Sequence, residues 1–261
     1  MFQRFVRDFK KYWPYALRSA KSTLKAEVAG SYLNWLWWIL NPISFMLIYT
    51  VIFGVIFKAS EQYFPIYVFI GLTMWDFFNH VVTHSVKMIK SNKNIVTKVY
   101  IPKFILIVSD MIVNAIKMFI SFGVVAVMMI VFRVPVGWGI FYILPVLAGL
   151  FMTTFAAGNL IMHFGVYIQD LSNIVNIVLR LVFYFTGIFY DIEKRIPVPY
   201  KYWVLRINPL AAYITEARYA LLYGRITHWG LLIAWVVLSL ILDVVTVRVV
   251  YKNENGYVKV I

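Results

Sequence analysis

The chain has 261 residues, of which 62% are hydrophobic and 14% charged, against roughly 45–50% and about 25% in a soluble domain. The apolar residues form runs long enough to cross a bilayer of about 30 Å, so a water-soluble globule is excluded and an integral membrane protein is expected. No cysteine is present, which removes disulfides, thiolate metal sites and thiol catalysis, and the net charge of +14 sits between the apolar runs, where anionic lipid and positive-inside topology explain it better than nucleic acid.

Residues 1–30 interleave Arg4, Arg7, Lys10, Lys11, Arg18, Lys21 and Lys25 with Phe5, Phe9, Tyr12, Trp13, Leu17 and Leu24. This pattern predicts an amphipathic helix lying in the membrane interface, broken near Pro14. No apolar core with a small-residue cleavage site occurs there, so no cleavable signal is expected. The first span is predicted over about 32–57, with Trp35, Trp37 and Trp38 clustered at its start. A short polar loop, Lys58 to Gln62, leads to a second span over about 64–86. A basic loop with some helical character covers 87–103, and a third span covers 104–132. Pro135, Gly137 and Gly139 mark a tight turn before a fourth span over 140–167. After a polar break at Gln169–Asn173 comes a fifth span over 174–190, short for a full crossing.

Residues 191–228 are too polar to span. They hold Asp191, Glu193, Lys194, Arg195, prolines at 197, 199 and 209, and an amphipathic stretch from Leu210 to Tyr223. A helical pair that enters the membrane edge and returns fits them, provided protein or water covers its backbone. A last span over 229–250 and a polar tail complete the chain. The fold class expected is therefore an all-α membrane protein with six transmembrane helices, an N-terminal interfacial helix (1–30) and, within a transmembrane domain (31–261), an external re-entrant pair between spans five and six. An even number of spans puts both termini on one side. The basic N-terminal segment, the loop 87–103 and the tail with Lys252 and Lys259 make that side cytoplasmic. Segment 191–228 is then external although it carries six Lys and Arg residues. Counting Leu210–Tyr223 as a seventh span would instead carry the tail outside.

Several ionisable residues fall inside apolar runs, where they are expensive unless paired or facing water. His80 and His84 stand one turn apart with Asp76 one turn earlier, but Val81 occupies the place where a zinc-protease motif needs Glu, so no metal is expected. Counting inward from the loop 87–103 brings His80 or His84 level with Asp110, and Asp76 level with Lys117. The same count on spans five and six brings Arg180 level with Asp243. These pairs are expected to tie neighbouring helices together.

The segments Gly30-Ser-Tyr-Leu-Asn-Trp-Leu-Trp-Trp-Ile-Leu-Asn-Pro42 and Tyr49-Thr-Val-Ile-Phe-Gly54 resemble the first span of the ABC-2 type permeases that export polysaccharides. Gly71-Leu-Thr-Met-Trp-Asp-Phe-Phe78, Ser91-Asn-Lys-Asn-Ile-Val-Thr-Lys-Val-Tyr-Ile-Pro102, Tyr167-Ile-Gln-Asp170 and Asn208-Pro-Leu210 continue the match in the family's order. The polar, histidine-rich stretch Trp75 to His84 departs from the family pattern. The resemblance implies a homodimer of membrane subunits serviced by two ATP-binding subunits, with an external re-entrant pair. It also implies a polyprenyl-diphosphate-linked glycan as cargo, O-antigen first, capsule or teichoic acid otherwise.

Consistent with that division of labour, no glycine here is followed by lysine, so the chain has no P-loop. ATP and magnesium are expected on the partner, and no cofactor in this chain. The resemblance makes the loop 87–103 an ATPase-docking element, through Lys90, Asn92, Asn94, Ile95, Val96, Tyr100, Ile101 and Pro102; composition alone leaves an ordinary positive-inside loop equally open. An exporter of glycans needs a path with aromatic walls, for which Trp35, Trp38, Tyr49, Phe53, Tyr184 and Tyr190 are candidates, while Trp37 reads as an interfacial anchor. Arg4, Arg7, Lys10 and Lys11 are candidates for holding a lipid diphosphate at the cytoplasmic surface, or for plain anchoring to anionic membrane lipids. Competing classes make different demands. An ion-coupled flippase calls for internal repeats with matched mid-membrane charges, and a membrane enzyme for a nucleophile with its base; neither pattern is present in the sequence.

Overall fold

A computed structural model describes residues 2–29, 33–56, 61–135 and 137–260. Tyr32 and Phe57, the expected ends of the first span, and most of the loop Lys58 to Gln62 lie outside the described residues. Everything described that is regular is helical.

Helix α1 (Phe2–Ala29) runs unbroken through Pro14, contrary to the expected break. Pro14 is exposed, so the carbonyl it leaves without a helical donor faces solvent and the helix continues. The opposite face carries Ala16 and Ala20, both wholly buried. Their small side chains let α1 lie close on α6 (Phe104–Val131), where the Ser109 hydroxyl donates to the Ala16 carbonyl at 3.3 Å. The Phe5 and Phe104 rings meet at 5.1 Å at one end and Glu27 pairs with Lys117 at 2.7 Å at the other. Between these contacts α1 advances ~33 Å and α6 only ~20 Å, so the two helices cross obliquely.

Helix α2 (Asn34–Tyr49) is continued by a π-helical stretch, Thr50–Ile56. Helix α3 (Phe64–Ser85) follows, with Pro65 in its first turn, and forms the axis of the molecule. Ile66, Phe69, Ile70, Met74, Phe77 and Val81 on it are at most 2% exposed. Two single-turn helices, α4 (Met88–Ser91) and α5 (Lys93–Val96), lead to α6. A short 3-10 turn, Trp138–Tyr142, opens α7 (Ile143–Tyr167). Gly165 on α7 is required by packing, because a Cβ there would lie 2.0 Å from the Val86 carbonyl oxygen. Helix α8 (Leu171–Phe185) has 15 residues and ends well before Tyr190, the expected end of span five; the chain turns at Gly187, whose φ is +70°.

Helices α9 (Ile192–Arg195), α10 (Tyr200–Ile207) and α11 (Pro209–Tyr223) follow. The stretch Leu210–Tyr223 is buried on nearly every side rather than amphipathic, with Tyr213, Ile214, Ala217 and even Arg218 at most 1% exposed. The Asn208 side chain caps α11 by accepting from the Leu210 and Ala211 amides at 3.0 and 3.3 Å, which satisfies two of the free N–H groups of the first turn. Helix α12 (Trp229–Val260) continues through the residues expected to form a polar tail. It runs parallel to α7, joined by Thr153–Ser239 and His163–Tyr257 hydrogen bonds of 2.7 Å each.

Four segments are long and apolar enough to cross a membrane: Trp35–Ile56, Phe104–Val131, Trp138–Tyr167 and Trp229–Tyr257. Helix α3 has the length, at 22 residues, but carries a row of polar side chains.

Candidate functional site

That row is regular. Asp76, Asn79, His80, Thr83 and His84 recur at the spacing of one helix face, and together they line a cleft of about 720 Å³. Helix α8 answers with its own stripe at the same spacing, Asn176, Leu179, Arg180, Phe183 and Tyr184. Helix α2 closes the third side with Phe45 and Tyr49, one turn apart, rings 6.3 Å from each other. The back of α3 packs in the apolar core while its front faces the cleft, so the same helix is both spine and wall.

Aromatic rings frame the polar row. Trp75 and Phe183 meet at 5.2 Å, and Phe189 packs at 4.2 Å from Tyr49 and stacks on Phe53 at 4.9 Å. On α3 and its neighbour, His84 Nδ1 lies 3.2 Å from an Asp110 oxygen. Asn114 donates to the Asp110 carbonyl and carboxylate at 2.9 and 3.3 Å. Among the described residues, no hydrogen bond or ion pair reaches the Asp76 carboxylate or the Arg180 guanidinium. Both charges are therefore available to something in the cleft.

The structure brings some expected partners together and separates others. His84 meets Asp110, but Lys117 turns from Asp76 to Glu27 at 2.7 Å and lies 5.4 Å over the Trp38 ring. Oblique crossing of α1 over α6 delivers Glu27 there, which a depth count on α3 and α6 alone could not include. Arg180 and Asp243 do not meet. Asp243 lines a separate apolar pocket of about 900 Å³ with residues of α1, α6 and α7, and its Oδ1 is buried without a partner among the described residues. Equal depth did not imply equal azimuth.

Of the aromatic candidates, Tyr49 and Tyr184 line the cleft, and Phe53 stands behind it against Phe189. Tyr190 donates to the Tyr184 carbonyl at 3.0 Å and so braces the wall. Trp35 is half-exposed outside the cleft, and Trp38 lines a different hollow on the far side of Asp76. Phe45, Trp75 and Phe183 were not anticipated. Their signal was position: Phe45 precedes Tyr49 by one turn, and Phe183 follows Arg180 on the same face.

At the other end of the molecule, the loop 87–103 splits into two faces. Ile95, Val99 and Tyr100 are exposed, as are Lys90 and Asn94, with Asn92 half-buried. Val96, Ile101 and Pro102 point into the protein and cannot touch a partner, because this loop is too short to have two free sides. Tyr100 Oη accepts from Arg4 at 2.8 Å and donates to Glu254 at 3.2 Å. Arg4 also pairs with Glu254 at 2.7 Å, so Arg4 belongs to this clamp and is not free for phosphate. Its hydrogen bond to Glu254 pushes its pKa further up. Arg7, Lys10 and Lys11 remain exposed.

The opposite end is held by charge and by one buried cation. Arg218 donates from Nε to the Tyr67 carbonyl at 2.9 Å, and from Nη1 and Nη2 to Gly187 and Ile188 at 2.8 and 2.7 Å. Its guanidinium lies 3.6 Å from the Tyr67 ring centroid. A Cβ at Gly71 would come within 2.4 Å of Nη2, so glycine is what admits the fork. Nearby, Lys194 binds Glu61 and Lys201 binds Glu193 at 3.1 Å. His228 bridges Glu216 at 3.0 Å and Glu193 at 3.3 Å. Its hydrogen bond to Glu216, ahead of the opposing effect of burial, raises its pKa above the ordinary histidine value.

Comparison with known proteins gives the chain a family. Residues 19–222 match the ABC-2 type transporter family. The chain is 27% identical over 214 residues to the O-antigen export system permease protein RfbA of Myxococcus xanthus, covering 82% of each. Two proteins of the same name from Klebsiella pneumoniae are 25% and 23% identical, each over 91% of both chains.

Proposed function

The chain belongs to the ABC-2 type transporter family, and from that premise we propose that it is the membrane permease subunit of an ATP-driven exporter of a polyprenyl-diphosphate-linked polysaccharide, O-antigen foremost. The observation that carries this reading is the cleft between α2, α3 and α8. It combines aromatic walls, on which sugar faces stack, with a polar floor that offers hydrogen bonds to hydroxyls. Its unpaired Asp76 and Arg180 lie where a polar cargo passes.

The chain crosses the cytoplasmic membrane six times, with both termini inside. Four of the crossings are the long apolar segments. Helix α3, ~33 Å long, is the fifth, tolerated because its polar face looks into the cleft. Helix α8 with the turn after it is the remaining one. Helices α9–α11 form the external re-entrant pair, which is permissible because α11 is buried in protein. Two copies assemble so that their clefts face each other. Support comes from the apolar rims: Phe45, Ile48 and Val55 on the α2 side and Ile177, Leu181 and Phe185 on α8 are all more than half exposed, a burden that a second copy would cover. Two ATP-binding subunits dock on Lys90, Asn94, Ile95, Val99 and the rim of Tyr100.

A direct test is to co-express the chain with a candidate ATP-binding subunit in cells that make the polymer but cannot export it. Surface polysaccharide should return, and should vanish when that subunit's ATP-binding lysine is replaced. Polymer export that persists without ATP hydrolysis would instead favour an ion-coupled flippase.

A further inference from the structure

Behind the cleft, α3 borders a second and smaller hollow of about 220 Å³, enclosed by α2, α3 and α6. Pockets for drug-sized ligands run from ~300 Å³ upward, so this one takes a smaller group. Its walls are of mixed chemistry. Trp38 supplies an indole with Lys117 5.4 Å over its ring, Asn41 supplies an amide, Asn114 an amide oxygen (its NH2 is bound to Asp110), and Ser121 and Thr73 supply hydroxyls. The Thr73 hydroxyl is buried with no hydrogen-bond partner among the described residues, which costs free energy unless something else satisfies it. Asp76 and His80 border both this hollow and the cleft, so an occupant here is next to whatever lies in the cleft.

Charge decides between occupants. Lys117 at the rim is already neutralised by Glu27 at 2.7 Å. With Lys117 so paired, the lining of the hollow offers phosphate no free cation. A metal cation would find one carboxylate beside an ammonium, a poor set of ligands. A neutral, ring-shaped molecule with hydroxyls on its edge and an apolar face fits the amides, the hydroxyls and the indole together.

The geometry points to a subsite for one neutral sugar residue in the hollow between α2, α3 and α6, contiguous with the cleft through Asp76 and His80. It rests on the export reading, since the sugar would be one residue of the polymer in transit. A ring seated there fixes the chain at one point while neighbouring residues lie along the aromatic walls.

Because the chain has no cysteine, Ser121→Cys gives a single reporter thiol in the hollow. In the full complex with its ATP-binding subunits, in nanodiscs, its labelling by a small thiol reagent should slow about tenfold with a saturating methyl glycoside of a neutral hexose. Inorganic pyrophosphate and sodium chloride should not slow it. Adding Thr73→Val, which removes the hydroxyl at constant size, should weaken the protection, and Thr73→Leu, which fills the space, should abolish it. Co-purification of the ATP-binding subunit checks that each variant folds. Equal labelling with and without glycoside, or protection by pyrophosphate or sodium instead, would overturn the subsite. Such a failure is separable from failure of the export reading: a Tyr184→Cys reporter in the cleft would still be shielded by the exported polymer if export is correct, and would not be if it is wrong.

Discussion

Two arginines inside the bundle lead opposite lives. Arg218 on α11 is fully enclosed, with its fork spent on carbonyls of α3 and of the turn after α8. Arg180 on α8 is exposed along the cleft and has no partner among the described residues. The first is a structural rivet that closes the end of the molecule opposite the loop 87–103. The second, with Asp76, is a polar group left without a partner among the described residues and open to the cleft. A charge buried and satisfied serves stability; a charge held at an open cleft without a partner is free to meet a ligand.

The largest effect should follow from breaking the rivet. Arg218→Met leaves backbone carbonyls buried without donors and should cost about 3–5 kcal/mol, read as low yield and a much lower melting temperature in detergent. Arg218→Lys should rescue little, because an ammonium cannot reproduce the planar fork. On the other side of the comparison, Arg180→Ala and Asp76→Asn should melt near the parent temperature while lowering polymer export by roughly tenfold, about 1.4 kcal/mol. If either melts as poorly as the Arg218 variants, the distinction between the two regions fails.

Smaller effects test the two ends. Ile95→Asp or Val99→Asp should weaken co-purification of the ATP-binding subunit by about tenfold, or ~1–2 kcal/mol, with the permease itself still folded. Ile101→Asp, in the same loop but facing inward, should unfold the protein instead. At the end opposite that loop, the raised pKa of His228 has a defined sign. Its charged form is favoured in the folded state by Glu216 and Glu193, against Lys201. The stabilisation is complete below the unfolded histidine value of about 6.5 and is lost as pH rises through the raised folded value. The melting temperature should therefore drop by a few degrees across that window, and His228→Gln should flatten the drop.

Much of this was legible in the sequence, and the rest was not, for physical reasons. Apolar runs gave the long helices, and basic residues among aromatics gave α1. Pro14 misled because a proline on the exposed side of α1 leaves its orphan carbonyl outside the packed face. Depth counting placed His80 or His84 beside Asp110, since all lie near the same loop, and the structure selects His84. It failed for Arg180 and Asp243, because depth along a helix says nothing about the direction a side chain faces. The cleft stripes at 76, 79, 80, 83, 84 and at 176, 179, 180, 183, 184 were present as helical periodicity, yet only packing shows that they face each other. Arg218 was hidden because its partners are carbonyls from two distant segments, which carry no residue-type signature.

The cysteine-free chain offers the most direct measurement of the central claim, that polymer passes along the cleft. Tyr184→Cys in the cleft and Ile241→Cys on α12, away from it, are each labelled to completion with a bulky maleimide in membranes that export polymer. The account predicts that export stops for the first and continues for the second. Undiminished export from fully labelled Tyr184→Cys protein would contradict it.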